Sequence, residues 1–262
     1  MPQVHRLGLA TRGGSRLRAG DVEHAIERGL NYLNWCGRPD GLSRAIGRLG
    51  SARMRVAVAV PIEARRAVDA AIEFESCLTE LGTDYLDVAT LYYVESPGEW
   101  NQIVAPGGVI EFLAGQKRLG RLRLIGLTSH QRTLAAAWAA TGLLDLLMIR
   151  YNAAHRGAEG EVFPVAASRR LPVVTFTGLR WRALLGPTPD DPPGSRPPSA
   201  ADCYRFCLAN PDVAVALAAP GNRDELDHAL ELLDDWRAPD AAQLERMSSH
   251  GDSVRRHAGR FW

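Results

Sequence analysis

No charge of either sign predominates in this chain. Its 262 residues carry 31 lysines and arginines against 30 aspartates and glutamates, for a formal net charge of +1. Such a balance excludes a general nucleic-acid binder, whose affinity rests on a concentrated positive field, while leaving room for a local basic patch. Long apolar runs are also missing: none approaches the roughly 20 residues that span a bilayer. The opening MPQVHRLGLATRGG lacks the apolar core of a secretion signal. The expectation is a cytoplasmic protein with no membrane or nucleic-acid partner. Cysteine is scarce. The four present, Cys36, Cys77, Cys203 and Cys207, form no CxxC pair. Cys203 and Cys207 share a helix face, but further ligands at zinc spacing are absent, so no metal site is expected and the thiols read as small hydrophobes.

What is present is globular. The chain is 46% hydrophobic and 23% charged, ordinary for a folded protein, and its length suits one large domain or two modest ones. Short apolar runs alternate with helical patterns from end to end. Leu7–Thr11, Asn31–Trp35, Arg55–Val60, Tyr85–Tyr92, Leu122–Ser129, Leu144–Tyr151, Pro172–Thr177 and Val213–Ala219 read as strands buried on both faces, as parallel strands are. Helical patterns fall at Val22–Arg28 (capped by Asp21), Arg65–Leu81, Val109–Leu119, Gln131–Ala140 and Ser199–Ala209. Two more run from Asn222 or Arg223 to Trp236 and over about 240–258. Eight strand–helix units predict an α/β fold, a single (β/α)8 TIM barrel over 1–262. An open doubly wound sheet is the alternative, but no GxGxxG follows the first strand. The segment 187–200, rich in proline, is a rim loop after strand seven, either a flap or a passive connection.

The order of these segments resembles the aldo-keto reductase family. LGLAT, AIERGLNYLNW, SCLTELGTDYLDVATLYY, GRLRLIGLTSH, LLMIRYNAAHRGAEGEVFP, VVTFTGL and LAAPGNRDELDHAL are similar, in this order, to family segments spanning nearly the whole chain. The resemblance implies a barrel that reduces carbonyls with NADPH through an Asp, Tyr, Lys and His tetrad. At the matching positions this chain has Asn34, then Pro39 (or Arg38 with a shifted loop), then Pro61 (or Val60), then Tyr92. Every position differs. A prolyl ring is no acid, and without the Lys or Asp nothing obvious tunes one toward neutral pH.

The cofactor positions implied by the resemblance are mixed. Ser129 is kept and His130 replaces an Asn. Tyr151 aligns with the aromatic that stacks on the nicotinamide, or lies one place from it, and Asn152 follows it. After the seventh strand a glycine-rich run gives way to Leu179–Gly186, in which Trp181 and Arg182 replace small residues. Arg182 either binds a phosphate or, with Trp181, fills the vacated cleft. Asn222 and Arg223 match the segment that grips the 2′-phosphate and open a helix whose free N–H groups favour anions. Glu225 fits the position touching adenine. NADP(H) binding and a filled cleft are the two alternatives.

On a barrel the strand ends converge on one mouth. Arg12, Asn34, Trp35, Cys36, Arg38, Tyr92, Tyr93, Ser129, His130, Arg150, Asn152, Arg180 and Trp181 are expected there, an aromatic and cationic set suited to an anionic or aromatic small molecule. Tyr92 is a general acid or base, or only a hydrogen-bonding lining. His130 titrates near neutrality, or caps a helix. Cys36 is a nucleophile or a core thiol. The leading expectation is a divergent enzyme of this lineage doing non-redox acid/base chemistry with Tyr92, His130 and Asn34. Alternatives are an NADPH-dependent carbonyl oxidoreductase with a non-standard proton donor, and an inactive protein that binds a ligand or partner. Oligomeric state is not legible.

Overall fold

The computed structural model of the protein describes residues 3–11, 15–192, 194–234, 236–257 and 259. Arg12 and the terminal Phe261–Trp262 pair lie outside these residues. The strands are β1 (Leu7–Ala10), β2 (Tyr32–Asn34), β3 (Ala57–Ile62), β4 (Leu86–Leu91), β5 (Leu122–Ser129), β6 (Leu146–Arg150), β7 (Val173–Phe176) and β8 (Val213–Ala218). All pair in parallel, in chain order, and β8 returns to β1 to close the barrel. The fold is the expected (β/α)8 TIM barrel.

The connections carry α1 (Ala19–Glu27), α2 (Gly41–Arg48), α3 (Ala67–Leu81), α4 (Pro97–Val104), α5 (Val109–Arg118), α6 (Arg132–Ala139), α7 (Ala158–Glu161), α8 (Phe163–Arg169), α9 (Ala200–Ala209), α10 (Arg223–Asp234) and α11 (Ala241–His257). Several boundaries differ from the sequence expectation for local reasons. Asp21 is not the cap of α1: the helix begins at Ala19, and Asp21 reaches back to accept the Arg18 backbone N–H at 2.8 Å. The strand expected from Arg55 begins at Ala57, because Gly50–Arg55 winds into a 3₁₀ turn. Four helices, α2, α4, α7 and α8, are absent from the sequence expectation, and the caps of two of them are nonetheless written in the sequence. Asp40 accepts from Leu42 and Ser43 N–H to open α2, and Ser96, followed by Pro97, caps α4 through Glu99 N–H.

The barrel has two apolar compartments. Ala10, Tyr32, Ala57, Ala59, Val88, Leu146, Met148, Val174, Val215 and Leu217 fill its interior. The opposite faces of the strands pack on the helices in a larger core that includes Phe74, Phe163 and Leu226. Gly8 makes room for the interior: a Cβ there would stand 2.8 Å from Val215, 2.9 Å from Leu217 and 3.1 Å from the Tyr32 ring.

The described residues of 187–199 are irregular, as the prolines demand, but the segment is tied down and Ala200 already begins α9. Asp190 accepts from Arg256 at 2.6 Å, from Ser253 at 2.9 Å and faces His257, and these contacts hold its carboxyl down at about 2. Asp191 faces His250 of α11 at 3.1 Å. At its far end Ser199 and Asp202 form a capping box that starts α9.

One charged cluster is buried at the N-terminal end of β4. Asp87 is fully buried, and its carboxylate accepts from Arg53 Nη1 at 2.9 Å, Val58 N–H at 2.9 Å and Arg123 Nη1 at 2.6 Å. Both guanidiniums lie over the Tyr85 ring, at 4.3 and 4.6 Å. Removing one partner of such a cluster strands a buried charge. Asp87→Ala is expected to lower unfolding free energy by about 3–5 kcal/mol in urea titrations, and a loss under about 1 kcal/mol, the value of a solvated surface pair, would show that water screens the cluster.

Candidate functional site

The alternation that fills the barrel interior continues to the C-terminal ends of the strands. Asn34 follows Tyr32 by two residues, Arg150 follows Met148, Phe176 follows Val174, and Tyr92 follows Val88 by four. His130 stands just past β5. These five side chains line one cavity of about 490 Å³ at the barrel mouth, together with Tyr93, Thr11, Trp181 and Tyr204. Its size is that of a small-molecule site.

A chain of rings crosses the mouth. Tyr92 and Tyr93 lie 4.2 Å apart between centroids, Tyr93 stacks on His130 at 4.4 Å and 11°, and His130 meets the Phe176 ring edge-on at 6.1 Å. Tyr93 turns back into this stack through a left-handed backbone, φ +46°, a costly conformation for a bulky residue. Arg65 holds it: one guanidinium nitrogen donates to the carbonyls of Tyr92 at 2.8 Å and Tyr93 at 3.0 Å, while Nε pairs with Glu99 at 3.0 Å. Glu99 in turn accepts from Glu95 N–H at 2.9 Å and from the Ser96 hydroxyl.

Glu95 is thereby set against His130. Its Oε1 accepts the His130 backbone N–H at 2.8 Å and faces the ring Nδ1 at 3.2 Å. Burial and the nearby Arg150 charge push the His130 imidazole below its ordinary 6.5, against the opposing pull of Glu95. The ring is therefore neutral at neutral pH, its Nδ1–H is assigned as the donor to Glu95, and Nε2 carries the free lone pair. Burial pushes the Tyr92 phenol in the opposite direction, above its ordinary 10, helped by Tyr93, Glu63 and Cys36. The cavity thus pairs a phenol that keeps its proton with an imidazole that lacks one.

Of the other residues expected in the site, Trp181, Arg182 and Glu225 also line this cavity. Trp35, Cys36 and Arg38 do not. Trp35 is buried on the helix side and donates its indole N–H to the Arg38 carbonyl, the Cys36 thiol rests 3.5 Å from Asp40 with burial pushing it up, and Arg38 is exposed. Tyr151 faces away from the mouth, packed on Phe163 and Phe206 with its hydroxyl donating to Glu159 at 2.6 Å. The ring that strand alternation does aim at the mouth is Phe176. Glu95 carried no sequence signal, because its partner lies 35 residues away.

The donors that the resemblance assigns to NADP(H) are engaged elsewhere. Ser129 accepts from Gln131 N–H at 3.0 Å, and Asn152 spends its amide on Thr177 O and Ala154 N–H. Asn222 caps α10 through Glu225 N–H, and Arg223 is paired with Asp227 and Asp21. Arg180 is buried, donating to Val254 and Gly259 carbonyls. In the loop after β7, Thr177, Arg180, Trp181 and Arg182 all have positive φ, between 48° and 74°. The turn leaves Trp181 standing 55% exposed on the rim and sends Arg182 across to Glu225 at 2.7 Å. Beyond this pair the cavity continues to His228 and Glu231 of α10, where carboxylates rather than free cations face it. The side chains of Ser129, Asn152, Asn222, Arg182 and Arg223 are thus bonded within the chain. Among the described residues no group of His, Cys, Asp and Glu is placed to hold a metal, and no helix is long and apolar enough to cross a membrane.

No family model matches the chain, and no relative is found among curated proteins. Solved structures do match. The aldo-keto reductase AKR11C1 from Bacillus halodurans, in its holo form, superposes with a TM-score of 0.77 at 18% identity, covering 94% of this chain and 92% of that one. Its apo form gives a TM-score of 0.74 at the same identity and coverage. The eight-stranded closed barrel of this chain therefore has the fold of the aldo-keto reductases.

Proposed function

We propose that the protein is a divergent aldo-keto-reductase-like enzyme that performs non-redox acid/base chemistry on an anionic or aromatic small molecule at the barrel mouth. The observation that carries this reading is the cavity shared by a protonated phenol, Tyr92, and a neutral imidazole, His130, oriented by Glu95. His130 Nε2 takes a proton from the substrate. Tyr92 donates to the oxygen on which negative charge develops, and Asn34 offers its amide to the same region. Dehydration, isomerisation and ring closure all need only this: a proton removed at one atom and delivered at another, with no electron acceptor. A lysine to tune the phenol downward is not at hand. The chain's one lysine, Lys117, is on α5 and paired with Asp145.

A second reading, an NADPH-dependent carbonyl reductase with Tyr92 as proton donor, is favoured by the likeness to aldo-keto reductases and by the continuation of the cavity toward α10. Titration with NADPH separates the two. Given the engaged donors, no saturable change in protein or cofactor fluorescence is expected up to millimolar cofactor; tight binding with aldehyde turnover establishes the reductase instead.

Once a substrate is found, for instance by thermal-shift screening of aromatic acids, Tyr92→Phe and His130→Ala should each lower kcat by at least about 10²-fold without loss of fold. Unchanged rates in both remove the acid/base assignment. The wild-type rate is expected to be flat through neutral pH. It should fall only on the acid side, with a midpoint below 6.5, because His130 acts as a base above its depressed pKa. Glu95→Gln removes the one influence that raises this pKa, so the His130 titration midpoint followed by NMR should move lower still. A midpoint that rises or stays fixed refutes the pairing.

A further inference from the structure

Left-handed backbone falls unevenly along this chain. The turns that close α1, α3, α5 and α6 give it to Gly29, Gly82, Gly120 and Gly142, because a residue without a Cβ adopts it at no steric cost. Among the described residues a side chain sits on such backbone six times: at Arg170, which closes α8, and at Tyr93, Thr177, Arg180, Trp181 and Arg182. The last five belong to the loops after β4 and β7, and all of them but Arg180 line the mouth cavity. A Cβ in this conformation presses on the following carbonyl oxygen. Such strain persists only where the surrounding structure enforces it, and it clusters at functional sites.

At Tyr93 the side chain kept at this cost has a defined contact. Its ring lies against the His130 imidazole, 4.4 Å between centroids and 11° from parallel. Glu95 holds the same imidazole at one ring atom, Nδ1, at 3.2 Å. One such bond leaves the ring free to rock about Cβ–Cγ, because that torsion has a broad minimum. Phe176 meets the imidazole edge-on, at 6.1 Å and 76°, a looser contact.

Resting on the acid/base reading above, we infer that Tyr93 is a positioning residue: its ring is the plate that fixes the plane of the His130 imidazole, and the strained backbone is retained for that contact. The Nε2 lone pair lies in the plane of the ring. Fixing the plane therefore fixes the direction from which a substrate proton is taken, and a base is effective only along that line. Glu95 selects the nitrogen and Tyr93 selects the direction. Arg65 belongs to the same device, since its bonds to the Tyr92 and Tyr93 carbonyls, at 2.8 and 3.0 Å, keep the ring from swinging out of the mouth. The role belongs to the ring face and not to the hydroxyl, so phenylalanine fills it.

The test follows the His130 ring in the full chain at pH 7, by carbon-13 relaxation at Cε1 and by nitrogen-15 shifts. Wild type and Tyr93→Phe should both show a rigid ring, with an order parameter of about 0.85, whereas Tyr93→Leu should fall below about 0.6. Tyr93→Gly, which relieves the backbone, should loosen the ring equally, so a folding defect in the leucine variant does not hide the result. Melting temperatures read the strain. Tyr93→Gly should melt about 2–4 °C above Tyr93→Ala, because only alanine keeps a Cβ on left-handed backbone. A ring as rigid in Tyr93→Leu and Tyr93→Gly as in wild type, or an alanine variant that melts at or above the glycine one, overturns the inference and leaves the acid/base reading standing. A wild-type His130 with its proton on Nε2, or on both nitrogens, overturns that reading and this inference with it.

Discussion

In a closed parallel barrel the alternation of side chains has no edge at which to slip. Moving any strand by one residue would exchange its interior positions with those packed on the helices, so each strand's register is fixed by both of its neighbours. Tyr32, Val88, Met148 and Val174 commit β2, β4, β6 and β7 to the interior. The residues two or four places on, Asn34, Tyr92, Arg150 and Phe176, then have to meet at the mouth. The site is a consequence of packing below it.

Two further arrangements convert that convergence into chemistry. Arg65, bonded to two successive carbonyls and to Glu99, holds the turn after β4 in a shape that a tyrosine does not adopt unaided. The same Glu99 fixes the backbone at Glu95, and Glu95 fixes the ring of His130. Orientation thus passes from a helix-side arginine to an imidazole in the cavity. The near-neutral total of 31 basic and 30 acidic residues hides an uneven distribution: the β6 flank of the mouth concentrates arginines, while the α10 end presents Glu225 and Glu231. Burial, more than that gradient, sets Tyr92 and His130 to opposite protonation preferences in one volume: it pushes the phenol up and, with Arg150, the imidazole down.

The barrel was legible because it is written locally, in apolar runs of strand length separated by amphipathic stretches and glycine stops. The mouth residues on the strands themselves were legible by counting in twos, which finds Asn34, Tyr92 and Arg150, and applied consistently from Val174 finds Phe176 rather than Tyr151. Residues just past a strand end were not. Trp35, one place after Asn34, alternates onto the helix side, and the chain then turns at Gly37, φ +78°, before reaching Arg38. Glu95 and Arg65 were invisible because their partners are far along the chain and come together only through the order of strands. The resemblance to aldo-keto reductases led to the right fold, whereas the cofactor roles it implied fall on side chains that here cap helices, clamp loops or pair with neighbouring carboxylates.

The central claim is that the mouth holds a neutral, directionally fixed imidazole beside a protonated phenol. Nitrogen-15 NMR of the histidine side chains at pH 7 reads this without any substrate. The account predicts that His130 is a single tautomer, with its proton on Nδ1 toward Glu95 and an unprotonated Nε2 facing the cavity. An imidazolium at that pH, or the proton on Nε2, would contradict it.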